Sequence, residues 1–166
     1  APKVKIEAVR GYGAEITFCE NTLEARESGV KSIQNKTNAI FIHPFNDRHV
    51  IAGQATAAKE VFEDCEEPLD AIIAPVGGGG LLSGTGLSAR LFSNNSTKVY
   101  GAEPEGAADA VLSFKSGRIE KAPFVNTIAD GLLTNLGDIT LPIIRETVSD
   151  ILLVNDDEIV EAMRLI

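Results

Sequence analysis

The stretch Ala71-Ile72-Ile73-Ala74-Pro75-Val76-Gly77-Gly78-Gly79-Gly80-Leu81-Leu82-Ser83-Gly84-Thr85-Gly86-Leu87-Ser88-Ala89-Arg90-Leu91 decides how the rest of the chain reads. Its first six residues are a short apolar run, the pattern of a strand buried on both faces. The residues from Leu81 onward read as a helix. Between the two lie four consecutive glycines. Glycine has no Cβ, so the backbone can turn tightly there and lie directly against a ligand. The N–H groups at the start of the helix, with the positive end of its dipole, suit an anion. No Lys-Ser or Lys-Thr pair follows, which excludes a nucleoside-triphosphate loop, and the spacing is not Gly-x-Gly-x-x-Gly. The pattern fits a cradle for one small phosphate monoester, held by neutral donors. A flexible linker is the plainer alternative, but a linker would sit among Ser, Pro and charged residues. This run sits between two apolar segments.

Strand-like and helix-like segments alternate on either side of it. Helices are expected over 2–12, 23–34, 47–62, 81–92, 107–115 and 142–147, with a last one from Asp156 onward. Strands are expected over 15–19, 39–43, 71–76, 98–102 and 151–154. Asn155-Asp156-Asp157-Glu158 before apolar residues is a helix start with acids on its first turn. Residues 116–126 read as a surface loop. The fold class is α/β: an open, mostly parallel sheet with flanking helices.

The composition narrows the function classes. With 15 basic and 24 acidic side chains among 166 residues, the net charge is −9, which argues against nucleic acid. Backbone N–H groups still bind a phosphate locally whatever the net charge. Hydrophobic residues make up 44 % of the chain, enough for a packed core. No apolar run approaches a membrane span, and no leader marks the chain for secretion. The two cysteines, Cys19 and Cys65, are too few for a disulfide framework or a metal knuckle and read as core residues. A reducing cytoplasm is the default expectation. His43 reads as the end of a strand, hydrogen-bonded to backbone.

Ala74-Pro75-Val76-Gly77-Gly78-Gly79-Gly80-Leu81 resembles the phosphate loop of the serine/threonine dehydratases and serine racemases, pyridoxal-phosphate (PLP) enzymes of fold type II. Four further blocks resemble that family in the same order. They are Gly11-Tyr12-Gly13-Ala14-Glu15-Ile16, His43-Pro44-Phe45-Asn46 with Val50-Ile51-Ala52-Gly53-Gln54-Ala55-Thr56, Val99-Tyr100-Gly101-Ala102-Glu103-Pro104, and Thr127-Ile128-Ala129-Asp130-Gly131. Together they cover nearly the whole chain. The resemblance implies a tryptophan-synthase-β-like fold, incomplete here, with 1–46 part of a small α/β domain and 47–166 part of the large PLP domain. It also implies a cytoplasmic homodimer, once complete, that acts on L-serine or L-threonine. The reaction would be elimination to a 2-oxo acid and ammonia. Serine racemase is the alternative within the enzyme class, and a truncated phosphate- or partner-binding chain is the alternative outside it.

The resemblance assigns cofactor contacts to Gly77, Gly78, Gly79, Gly80 and Leu81, and to Gly131, which would lie against the cofactor ring. It assigns no catalytic residue within the chain. The lysine to which the family attaches PLP lies in a Ser-x-Lys setting upstream of Ala1. Of the eight lysines present, Lys115, in Ser113-Phe114-Lys115, copies the family's Ser-Phe-Lys form of that setting, and it falls on a helix end where a solvated lysine is the ordinary reading. The chain by itself is therefore expected to be inactive. Finally, Glu103, the Ala107 carbonyl and Asp109 match a structural site for Mg²⁺ or Ca²⁺ in the racemases and their close relatives. Two carboxylates and a carbonyl after a strand end suit a hard cation. Without the resemblance, the same acids read as exposed groups flanking a helix start.

Overall fold

The computed structural model of the protein describes residues 2–20, 22–94 and 96–166. It falls into two compact units, Ala1–Phe41 and Ile42–Ile166.

The first unit carries two helices, α1 (Lys3–Gly11) and α2 (Leu23–Thr37). Pro2 precedes α1 with its φ already fixed at a value that suits helix entry. The Thr22 side chain caps α2 by accepting from Ala25 N at 3.1 Å, and Asn38 ends it in the left-handed conformation. The strands expected over 15–19 and 39–43 do not form. Neither segment has a ladder partner among the described residues, and a strand exists through its ladder rather than through propensity. Nor does burial hold them: Phe18 is 67 % exposed and Ile40 88 %. Cys19 lies on the first of these segments and is exposed, not buried as expected.

The second unit is the α/β sheet. Three parallel strands, β1 (Ala71–Pro75), β2 (Lys98–Pro104) and β3 (Asp150–Val154), stand in the order β1-β2-β3. Ala74 pairs with Gly101, and Gly101 with Ile151. Five helices accompany them: α3 (Arg48–Asp64), α4 (Gly80–Phe92), α5 (Asp109–Ser116), α6 (Thr140–Thr147) and α7 (Asp156–Leu165). Asp47 caps α3 by accepting from His49 N at 2.8 Å and Val50 N at 3.2 Å, and these bonds hold its carboxyl below the usual carboxylate range. The second cysteine, Cys65, is also exposed, because it stands at the cap where α3 gives way to a loop.

The core gathers on one face of the sheet. Ala74, Val99 and Ile151 point into it, met by Leu82 and Ala89 of α4, Ala110 and Val111 of α5, and Ile144 of α6. No described residues cover the middle of the opposite face, where Ile73 is 61 % exposed and Leu152 43 %. The expectation that the strand over 71–76 is buried on both faces is therefore wrong. Its apolar run reflects one packed face and one bare face, with β1 at a sheet edge.

Helices α3 and α4 touch backbone to backbone. A Cβ on Gly84 would lie 2.6 Å from Ala55 N and 2.9 Å from Ala55 Cα, and Ser88 Oγ donates to Ala55 O at 2.7 Å. This seam fixes α4, and therefore the direction in which its first turn faces.

Candidate functional site

The glycine run leaves the carboxyl end of β1. Val76 N–H still donates to Ala102 O at 2.9 Å, so the chain is sheet-bound up to the first glycine. Each of the four glycines then meets a neighbour that a side chain would displace. A Cβ on Gly77 would sit 3.2 Å from Gly131 O and 3.1 Å from Leu132 Cα. One on Gly78 would overlap the ring of Phe45, and one on Gly80 would lie 3.1 Å from Phe45 Cα. Gly79 has φ +89°, and its Cβ would fall 2.8 Å from both Ile144 Cδ1 and Leu136 Cδ2. Positive φ is a conformation that side chains resist, so this position needs glycine on two counts. Gly79 O accepts from Ser83 N at 2.9 Å and so starts α4. Leu81, half-buried, packs against the core.

Among the described residues, the amide N–H groups of residues 77–81 find no acceptor in the protein. Helix geometry explains those at the start of α4, since the first N–H groups of a helix have no carbonyl behind them. The loop thus offers a row of neutral donors at the positive end of a helix dipole. That arrangement can hold an anion without any basic side chain.

Two segments brace the loop, residues 43–46 and the turn that leads into α6. His43 Nδ1 accepts from Asn46 N at 3.0 Å, and its ring meets Phe45 edge-on with centroids 4.5 Å apart. His43 thus bonds to backbone as expected, although not from the end of a strand. Asn46 reaches across to the turn before α6: its Nδ2 donates to Asp138 Oδ1 at 2.6 Å and its Oδ1 accepts from Ile139 N at 3.0 Å. Thr140, fully buried, donates its hydroxyl to Gly78 O at 2.9 Å and accepts from Gly137 N at 2.8 Å. Phe45 and Asn46 belong to one of the family-like blocks, but their sequence carries no sign of this bracing role, and none marks Thr140.

Gly131 sits in a 3₁₀ turn, Asp130–Leu132, beside Gly77. It is exposed, and no atom of the described residues lies within 4 Å of where its Cβ would be. The protein itself therefore does not demand glycine here. Asp156, at the start of α7, anchors the approach to this turn, accepting from Thr127 Oγ1 at 2.5 Å and Ile128 N at 3.1 Å.

The acids lie one strand over, where β2 ends. Glu103 is on β2, Ala107 closes a 3₁₀ turn (Glu105–Ala107), and Asp109 opens α5. All three are buried, with Glu103 1 % and Asp109 2 % exposed, so they are not the solvated acids of an ordinary helix start. Glu103 accepts from Ala110 N at 2.6 Å and Val111 N at 2.9 Å, spreading its charge over the first turn of α5. Burial nonetheless raises its pKa, with those N–H groups pulling the other way. Burial, and then the neighbouring Glu103 charge, push Asp109 up to about 7. Among the described residues, Asp109 Oδ2 has no hydrogen-bond partner. Among the described residues no three His, Cys, Asp or Glu side chains cluster, so a cation here would take two carboxylates plus the Ala107 carbonyl and water. Lys115 lies in the last turn of α5, as expected of the solvated lysine reading.

A profile of the pyridoxal-phosphate dependent enzymes matches residues 1–166. The serine racemase of Dictyostelium discoideum is 52 % identical over 168 residues, covering 100 % of this chain and 51 % of that protein. The L-threo-3-hydroxyaspartate ammonia-lyase of Saccharomyces cerevisiae is 44 % identical, covering 100 % of this chain and 51 % of its own length. The solved threonine deaminase of T.th. superposes with a TM-score of 0.92 at 42 % identity, over 97 % of this chain and 54 % of that one. The chain thus spans about half the length of the curated relatives it matches.

Proposed function

Because the chain belongs to the family of pyridoxal-phosphate dependent enzymes and has their type II fold, we propose that its glycine loop holds the cofactor's phosphate. The observation that carries this reading is the row of N–H groups over 77–81 with no acceptor among the described residues, on a loop where Gly79 takes positive φ and the other three glycines lie too close to their neighbours for a side chain. Gly77, Gly78, Gly79, Gly80 and Leu81 supply donors to the phosphate oxygens. Gly131, beside Gly77 with open space above it, leaves room for the flat ring. Pyridoxal phosphate, when bound, supplies an electron sink for negative charge at an amino acid's α-carbon. The residues of this chain bind and orient it, and none of them moves the proton.

The whole protein then removes water from a small β-hydroxy amino acid, L-serine or L-threonine, and the enamine released takes water back as it hydrolyses to a 2-oxo acid and ammonia. Serine racemisation is a second reading, and the 52 % identity to a serine racemase favours it. Both begin by loss of the α-proton. They part at the next step, which is either expulsion of the β-hydroxyl or return of a proton to the other face. The test is to incubate the whole protein with L-serine, L-threonine and L-threo-3-hydroxyaspartate, measuring 2-oxo acid and D-amino acid in parallel. Oxo acid as the main product supports dehydration, and D-serine in excess replaces it with racemisation. Neither product from any substrate overturns both.

Glu103, Ala107 and Asp109 hold one structural divalent cation, Mg²⁺ or Ca²⁺. The support is a buried like-charge pair whose Asp109 Oδ2 has no partner among the described residues. A cation between them removes the repulsion and lets both carboxyls stay ionised. Calorimetric titration of the metal-stripped protein with each ion tests this, and absence of a binding heat for both ions removes the assignment.

A further inference from the structure

We propose that Thr140 is a positioning residue for the phosphate loop: its hydroxyl pins the Gly78–Gly79 peptide so that the Gly79 N–H faces the anion. The inference rests on the phosphate reading of the glycine loop and adds the group that sets the loop's geometry.

A peptide unit is planar and trans, so its C=O and N–H point in opposite directions. Fixing one end of that plane fixes the other. Gly78 O accepts the Thr140 hydroxyl at 2.9 Å in the buried interior, on the α6 side of the loop. The N–H of the same peptide, which belongs to Gly79, must then point away from α6 and out of the interior. Glycine is the residue with the most freedom to turn this plane over, and four in succession multiply that freedom. Without an anchor the loop would sample both orientations, and an anion would have to select the productive one.

Thr140 is itself held rigidly. Its oxygen accepts from Gly137 N at 2.8 Å, and its one proton has Gly78 O at 2.9 Å as the nearer acceptor, with Gly137 O at 3.3 Å. The turn before it is clamped from the other side by Asn46, through Asp138 Oδ1 and Ile139 N. The same hydroxyl lies 2.9 Å from where a Gly79 Cβ would be, so no water fits between helix and loop. Gly79 O, bound to Ser83 N, fixes the next peptide in turn and aims the Gly80 N–H out of the end of α4. Two consecutive donors are thereby set, one by a helix hydrogen bond and one by a side chain.

The experiment compares pyridoxamine 5′-phosphate with pyridoxamine, which lacks the phosphate, on the whole protein stripped of cofactor. The readout is the ratio of the two dissociation constants. Thr140→Val keeps the shape and removes the hydroxyl, and it should lower the phosphate preference about tenfold, the effect of one hydrogen bond. Thr140→Ser restores the hydroxyl and should keep the preference within about twofold of wild type. A residue that only stabilises the fold would lower the melting temperature and leave the ratio alone. If the valine variant does not fold, Thr140→Ala is read the same way. A wild-type protein that prefers the phosphate ester, with the preference intact in the folded hydroxyl-free variant, overturns the role of Thr140 and spares the phosphate loop. A wild type that binds both compounds equally sinks the loop reading and this inference with it.

Discussion

Gly79 and Asp109 show how much rests on single residues. Gly79 combines φ +89° with walls of Ile144, Leu136 and Thr140 on the side where a Cβ would stand. Valine there is both strained and overpacked. Gly79→Val in the whole protein is expected to weaken cofactor binding on the order of 100-fold, equivalent to losing one or two charge-assisted hydrogen bonds. Equilibrium dialysis measures it, and an unchanged affinity would remove the phosphate assignment. Asp109 makes stability depend on pH. Its pKa rises from 3.8 to about 7 on folding, so the metal-free folded state holds the proton more tightly than the unfolded chain. The stabilisation from this group is complete below about 3.8 and is lost as pH rises through about 7. In chelator, the melting temperature should therefore fall as pH rises from about 4 to about 7 and level off above that. With Mg²⁺ or Ca²⁺ present the fall should vanish, because the cation takes the proton's place. A pH-independent melting temperature in chelator contradicts this account.

At the level of elements, the seam between α3 and α4 decides where the loop points. Gly84 leaves no room for a side chain against the Ala55 backbone, and backbone cannot swing aside as a side-chain tip can. Gly84→Val should destabilise the protein by about 3 kcal/mol, the upper end for an overpacked core. Urea unfolding followed by circular dichroism reads it, and a loss well under about 1 kcal/mol would mean the helices can part freely. The sequence was informative where structure is local. Strand, glycines and helix succeed one another from 71 to 92, and α3 to α7 lie within a few residues of their expected places. It was uninformative where an element depends on something distant. Residues 15–19 have strand composition but no ladder partner among the described residues. Thr140 meets Gly78 across 62 residues, and no local pattern announces such a bond. The burial of Glu103 and Asp109 was equally hidden, since acids at a helix start are ordinary on composition alone.

Across the whole molecule, the bare face of the sheet is the most consequential surface. Ile73 and Leu152 stand exposed on it, an unusual situation for strands of a parallel sheet. The 166-residue chain expressed alone should therefore bind the dye ANS, and Ile73→Thr with Leu152→Thr should reduce the signal severalfold. A dark wild-type chain would show that this face is covered in solution. The features read as functional lie at the carboxyl ends of the strands: the glycine loop after β1, Glu103 near the end of β2, and Asp156, which anchors the approach to the Gly131 turn, after β3. Cys65 lies at the opposite end, in a shallow depression shared with Leu69, Phe92 and Thr97. Helix α4, 13 residues long, separates the two ends by roughly 20 Å. That exposed thiol is consequently a chemical handle. In a Cys19→Ser background, a maleimide fluorophore on Cys65 would ride on the same rigid helix pair as the loop, and it could report cofactor arrival by energy transfer without touching the atoms that receive it.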